Sequence, residues 1–215
     1  MMNYLEDNKI TIACLQETWM CSTDKALYKI MLDYGYKVIK KERSGRRGGG
    51  LAVLYTPKLQ VKRLYISSKE QYKTFEYLCC KTFVNKKTFN FGNIYRLPYS
   101  EKHPFSGGMF LDEFELFLTS FCERDGYSVI CGDFNIDLKH TTTTTKRFLN
   151  ILSMHNLLQS TRETTHIRGG LLDLVIFDER LKDINTMAKV DTTFRTHHYS
   201  VLCDTYTGQC LKIVL

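Results

Sequence analysis

Short β-branched apolar runs, each bounded by polar turns, recur along the chain and predict strands. The first, residues 10–15, predicts a buried strand that ends at Gln16-Glu17-Thr18-Trp19. Ser22, Thr23 and Asp24 offer caps for a following helix, with Ala26, Leu27, Ile30 and Met31 as its apolar stripe and Gly35 as its stop. Residues 36–40 and 51–55 predict strands on either side of a loop, 41–50, that carries Arg43, Arg46, Arg47 and consecutive glycines. Residues 73–83 and 88–95 flank the turn-like Asn85-Lys86-Lys87 and predict an antiparallel hairpin.

Further along, the period changes. Phe110, Phe114, Phe117, Leu118 and Phe121 recur at helical spacing with Asp112, Glu113 and Glu115 on the other face, so an amphipathic helix is expected. A strand at 127–131 then runs into Gly132-Asp133-Phe134-Asn135. The threonine run at 141–145 reads as an exposed loop from its polar composition, with a helix following around 146–155. Apolar strands at 171–177, 199–204 and 210–215 complete the pattern. Strands dominate and helices fall between strand pairs, which predicts two packed sheets covered by helices, an α/β (α+β) architecture.

Composition adds limits. A chain of 215 residues with 43% hydrophobic and 13% aromatic content buries a substantial core, and no compositional break divides it, so residues 1–215 read as one domain. Thirty Lys and Arg against 23 Asp and Glu leave a formal charge of +7, which favours a polyanionic partner without specifying one. The eight cysteines are scattered through apolar runs with no pair at zinc spacing, and they read as reduced, buried thiols of an intracellular protein. With residues 1–10 polar and charged and no run of about 18 apolar residues, neither secretion nor membrane spanning is expected.

Candidate chemistry sits where strands end. Glu17, Asp133, Asn135, Asp173 and His198 each lie at the edge of an apolar run, and strand ends place polar groups at one rim of a sheet. Carboxylates that converge need a cation to coexist, and oxygen ligands without a thiolate pair suit Mg²⁺ or Mn²⁺ rather than zinc. The alternative is that each acid caps a turn. Arg96 and Arg162 are either phosphate contacts or solvated surface groups. The loop holding Arg46 and Arg47 either tracks a nucleic-acid backbone or is a mobile hairpin tip. Trp19 is expected to fill core space rather than to stack on a base, and His155 and His166 carry no assigned role.

At these positions the sequence resembles a known family. Leu-Gln-Glu-Thr-Trp (15–19), Asn-Ile-Tyr-Arg-Leu-Pro (93–98), Gly-Asp-Phe-Asn-Ile-Asp-Leu (132–138), Thr161-Arg162, Leu-Leu-Asp-Leu-Val-Ile (171–176) and His-His-Tyr-Ser-Val (197–201) occur in the order seen in the apurinic-type endonuclease domains of non-LTR (LINE-like) retrotransposons. These belong to the endonuclease/exonuclease/phosphatase superfamily. The resemblance implies a four-layer sandwich of two mostly antiparallel sheets flanked by helices, and a metal-dependent nuclease acting on DNA. It implies that Glu17 binds Mg²⁺ or Mn²⁺, and that Asp133 orients or deprotonates the attacking water. Asn135 and Tyr95 would contact the scissile phosphate, Asp173 would orient His198, and His198 would stabilise the pentacoordinate phosphorane. The product would be a nick with a 3′ hydroxyl, the location nuclear, and the wider context a reverse transcriptase once attached.

Two departures stand out. The family begins with a strand ending in an asparagine, and the chain starts too late to contain it, so a truncated retroelement copy with an unpaired sheet edge is expected. The family also usually has Ser-Asp-His where this chain has Thr196-His197-His198, and a histidine cannot supply the missing negative charge. Both bear on catalysis more than on fold. A catalytically inactive remnant or DNA-binding module, and a phosphatase or RNA exonuclease of the same superfamily, therefore stand as alternatives.

Overall fold

The computed structural model describes residues 1–20, 23–43, 49–66, 72–182, 188–193, 197–206 and 210–214. In chain order the elements are α1 (Met2–Asp7), β1 (Ile12–Leu15), α2 (Lys25–Asp33), β2 (Lys37–Lys41), β3 (Leu51–Tyr55), β4 (Lys62–Leu64), β5 (Phe75–Val84) and β6 (Lys87–Arg96). There follow α3 (Gly107–Cys122), β7 (Tyr127–Asp133), α4 (Thr143–Met154), β8 (Leu157–Gln159), β9 (Asp173–Asp178), a 3₁₀ turn (Glu179–Leu181), β10 (Ala188–Asp191), β11 (Ser200–Tyr206) and β12 (Cys210–Val214). The strands form two six-stranded sheets, ordered β10-β11-β12-β1-β3-β2 and β4-β5-β6-β7-β9-β8. Among the described residues, only the β1–β12 and β6–β7 pairs are parallel.

Alternation along each strand explains the layering. Ile12 and Cys14 of β1 and Leu51 and Val53 of β3 face Leu78, Cys80, Phe91, Val129, Cys131 and Val175 across the space between the sheets. The intervening Ala13, Ala52 and Leu54 face outward under Leu5 of α1 and Met31 of α2. On the far side Ile94, Ile130, Leu174 and Ile176 face the phenylalanine stripe of α3, and Phe148 and Ile151 of α4. The result is the expected sequence of helices, sheet, sheet and helices. The β5–β6 hairpin turns on Asn85 and Lys86, both with positive φ (48° and 62°), as a two-residue loop with matching twist requires. Cys14, Cys79, Cys80 and Cys131 are free, buried thiols, and Cys203 is buried too. No helix among the described residues is long and apolar enough to cross a membrane.

Several expectations are corrected. The sheet has no unpaired edge at β1, because β12 occupies the position between β11 and β1 and pairs with both. The threonine run is not simply an exposed loop: Thr142 caps α4 by accepting from the Thr145 N–H (3.1 Å), while Thr145 Oγ1 accepts from the Thr142 N–H (2.7 Å). Threonine hydroxyls satisfy the N–H groups that a helix start leaves unpaired, which composition alone conceals. In α2, Met31 is buried but Ile30 is exposed, since neighbours on a helix point about 100° apart. Asp24 stands at the N-cap of α2, and Ser22 and the side chains of Ala26 and Leu27 lie outside the described residues.

Candidate active site

Strand register assembles the site. Tyr95 of β6 is the partner of Asp133 of β7, and Asp133 is the partner of Asp173 of β9. These three therefore form one row across adjacent strands about 4.8 Å apart, with side chains on one face. Gly132, just before Asp133, has φ of +146°, and a Cβ there would collide with the Ile94 carbonyl, so the close approach of β6 and β7 beside this row needs glycine.

From the other sheet, β1 delivers Glu17. The end of β1 is anchored by Asn93, fully buried, whose Nδ2 donates to the Leu15 and Ala52 carbonyls (3.1 Å each) and whose Oδ1 accepts from Gln16 Nε2 (2.6 Å). Asn93 so ties the two sheets together beneath the site. Glu17 itself has φ of 47°, and its carboxylate accepts a hydrogen bond from the Tyr95 hydroxyl. Burial first, and then that bond, raise the Tyr95 phenol above its ordinary range, so it remains a donor at neutral pH.

His198 precedes β11. Its Nδ1–H donates to Asp173 (2.9 Å to Oδ2, 3.1 Å to Oδ1). That bond is the first cause of a raised His198 pKa, opposed by burial and supported by the charges of Asp173 and Asp133. Asp173 thus provides an anionic partner that His197 cannot. Ligand atoms of Asp133, Asp173 and His198 all lie within 4.8 Å of one another. Burial, followed by the Asp173 charge, pushes Asp133 up to about 7, against the opposing effects of His198 and the Asn135 N–H.

Asn135, with φ of 47°, holds Asp133 from below. Its backbone N–H donates to Oδ1 (2.9 Å), and its Nδ2 donates to Oδ2 (3.1 Å) and to the Arg96 carbonyl (2.7 Å). Arg96 is not a solvated surface group: it is 9% exposed, lies 5.0 Å from the Phe110 ring centroid, and donates to the Asn135 carbonyl (2.8 Å). Arg162 is exposed, and Arg46 and Arg47 lie outside the described residues. Trp19 is 59% exposed, which corrects its expected place in the core.

Other contributors escaped the sequence. Thr165 Oγ1 accepts from the Leu172 and Asp173 N–H groups (3.0 and 2.9 Å), fixing the entry into β9. His166 stands edge-on to His198 at 4.9 Å between centroids, with its Nδ1 accepting from the Arg168 N–H (3.1 Å). Burial and the His198 charge lower its pKa, so it stays neutral beside a cation-favouring partner. Arg43 donates through Nε to Glu76, whose other oxygen accepts from the Gly50 N–H (2.9 Å), and its guanidinium lies 5.8 Å from the Tyr95 ring centroid. Buried threonines beside a strand and a charged pair spanning residues 43 and 76 leave no local pattern to read.

Comparisons with known proteins bear on the family and the fold. The model of the Endonuclease/Exonuclease/phosphatase family matches residues 2–194. Among solved structures, an AP endonuclease from Archaeoglobus fulgidus superposes with a TM-score of 0.69 at 16% identity, over 96% of this chain and 93% of that one. The Xenopus laevis APE2 catalytic domain gives 0.71 at 14% identity, over 99% and 87%. The 3′ phosphatase NExo from Neisseria, bound to product DNA hairpin, gives 0.68 at 17% identity, over 94% and 91%. No curated protein sequence matches.

Proposed function

We propose that this chain, which belongs to the endonuclease/exonuclease/phosphatase family, is a divalent-metal-dependent endonuclease of the retrotransposon type that nicks DNA. The observation that carries this is the single row Tyr95–Asp133–Asp173, closed by Glu17 on one side and His198 on the other. The donor set fits a hard cation: a carboxylate pushed up to about 7 first by burial and then by a neighbouring carboxylate is a site short of positive charge. His198 is a poor ligand while its bond to Asp173 favours the protonated ring, so Glu17 is the residue assigned to hold Mg²⁺ or Mn²⁺. When bound, that ion supplies Lewis-acid polarisation of the phosphoryl group and stabilises the leaving oxygen.

The protein's own groups divide the remaining work. Asp133, with a proton affinity near neutrality, accepts a proton from the attacking water. Asn135 aims that carboxylate through two hydrogen bonds, and Arg96 fixes the Asn135 carbonyl. Tyr95 donates its one hydroxyl hydrogen to Glu17 and would turn it to a bound phosphate. His198, held by Asp173, presents a positive Nε2–H to the charge that builds on the phosphorane. Breaking the P–O3′ bond leaves a 3′ hydroxyl and a 5′ phosphate. The net charge of +7 favours a polyanion, and the wording of residues 93–98 and 132–138 supports the retrotransposon type, with a reverse transcriptase as associated activity and the nucleus as place of work.

End-labelled duplex DNA incubated with Mg²⁺, followed by end-group analysis, tests this. Internal breaks with 3′ hydroxyls are expected. Release of inorganic phosphate from 3′-phosphate ends without internal breaks would replace the reading with a phosphatase. Binding without either product would make the chain a DNA-binding remnant.

A further inference from the structure

We propose that Trp19 is a base-stacking residue, binding the face of a nucleobase within about two nucleotides of the phosphate to be cut; this rests on the reading of the chain as a DNA nuclease. The indole is 59% exposed, although Met20 beside it is buried to 5%. A tryptophan left in water withholds one of the largest apolar surfaces a side chain can bury, and among the described residues its ring pairs with no other aromatic.

The exposed position is built rather than slack. Trp19 has φ of 51°, a left-handed conformation unfavourable for a bulky residue. It is held there by its N–H, which donates to the Gly49 carbonyl (2.9 Å), while the Thr18 N–H donates to the Gly50 carbonyl (3.2 Å). Both glycines have positive φ (70° and 86°), and a Cβ on Gly49 would collide with the Arg43 guanidinium. Gly50 is pinned in turn through its N–H to Glu76. The glycine pair therefore fixes Glu17 and Trp19 as one unit.

Distance sets what the ring can reach. Two residues of chain separate the Cα atoms of Glu17 and Trp19 by at most about 7 Å, which matches two base steps at about 3.4 Å each. A phosphate facing Glu17 thus leaves a neighbouring base within range of the indole. Stacking on an aromatic ring is tolerant of base identity, so the contact would add affinity and register without a sequence preference.

Trp19 is the only tryptophan of the chain, so its fluorescence reports this position alone. In EDTA, the full chain should show an acrylamide-accessible indole. Single-stranded and duplex oligonucleotides should quench and shield it; an abasic sugar-phosphate oligomer of equal length should bind without doing so. In Mg²⁺, Trp19→Ala should raise KM roughly 5- to 100-fold with a much smaller effect on kcat, and Trp19→Phe should recover most of the loss. Equal quenching by the abasic oligomer, an indole inaccessible to acrylamide, or an unchanged KM in Trp19→Ala overturns the proposal. Cleavage without base-dependent quenching defeats the Trp19 assignment alone, whereas base-dependent quenching without any Mg²⁺-dependent cleavage defeats the nuclease reading alone. Loss of both defeats both.

Discussion

Replacing Asp133 by asparagine should stabilise the metal-free protein while abolishing its activity. Burial and the Asp173 carboxylate push Asp133 from an ordinary 3.8 up to about 7. At about 1.4 kcal/mol for each tenfold change in proton affinity, roughly 4 kcal/mol of native stability is lost when this carboxylate ionises. The sign follows from the direction: the folded pKa lies above the unfolded one, so the loss is absent below about 3.8, grows as pH rises, and is complete above about 7. Asparagine removes the charge and keeps an oxygen for the Asn135 N–H, but its amide hydrogens face Asn135 Nδ2, which offsets part of the gain. A net stabilisation of about 2 kcal/mol at pH 8 in EDTA is expected, or roughly 4–8 °C in Tm for a chain of this size. The difference from wild type should shrink at pH 5. Mg²⁺ should then raise the Tm of both proteins, since binding to the folded state alone adds about 2.7 kcal/mol at a hundredfold excess over Kd and Glu17 remains in the variant, but raise the variant less, because it has one negative charge fewer to neutralise. Thermal unfolding across pH, with and without metal, reads all of this. A variant no more stable than wild type at pH 8, or an advantage that does not change with pH, would refute the electrostatic reasoning.

The other predictions concern single groups. Glu17→Ala should abolish metal-dependent cleavage with little change in Tm, because a partly exposed carboxylate among like charges contributes little to folding; equal activity in both proteins would sink the metal assignment. His197→Asp should raise the nicking rate roughly three- to tenfold, about 1 kcal/mol of barrier, by adding a carboxylate at an exposed position next to His198; an unchanged or lower rate would show that this position does not act on the histidine. Thr142→Ala should lower stability by about 1 kcal/mol through loss of the α4 cap, with cleavage by the folded protein unaltered; urea titration checks it.

Much of the architecture was legible because it depends on local periodicity. The continuous apolar runs at 51–55 and 171–177 announce strands buried on both faces, the phenylalanines of α3 announce its packed face, and that suffices for two sheets between helices. The residue types of the candidate site were legible for the same reason, since they stand at the edges of apolar runs. Their arrangement was not, because the row Tyr95–Asp133–Asp173 depends on the register of three strands distant in sequence. Short α1 was missed among polar residues, with only Tyr4 and Leu5 buried. Trp19 was misplaced because hydrophobicity favours the core, while its exposure is set by a pair of glycines about thirty residues later. The position of β12 beside β1 likewise follows from pairing, and no local pattern in residues 210–214 reveals which strand they will join.

The most direct test of the central claim is conversion of supercoiled plasmid to open circles by the full chain in Mg²⁺, Mn²⁺ or EDTA, alongside Asp133→Ala. The account predicts metal-dependent open circles from the wild type and none from the variant. Intact supercoils from wild-type protein shown to be folded, or equal nicking by Asp133→Ala, would contradict it.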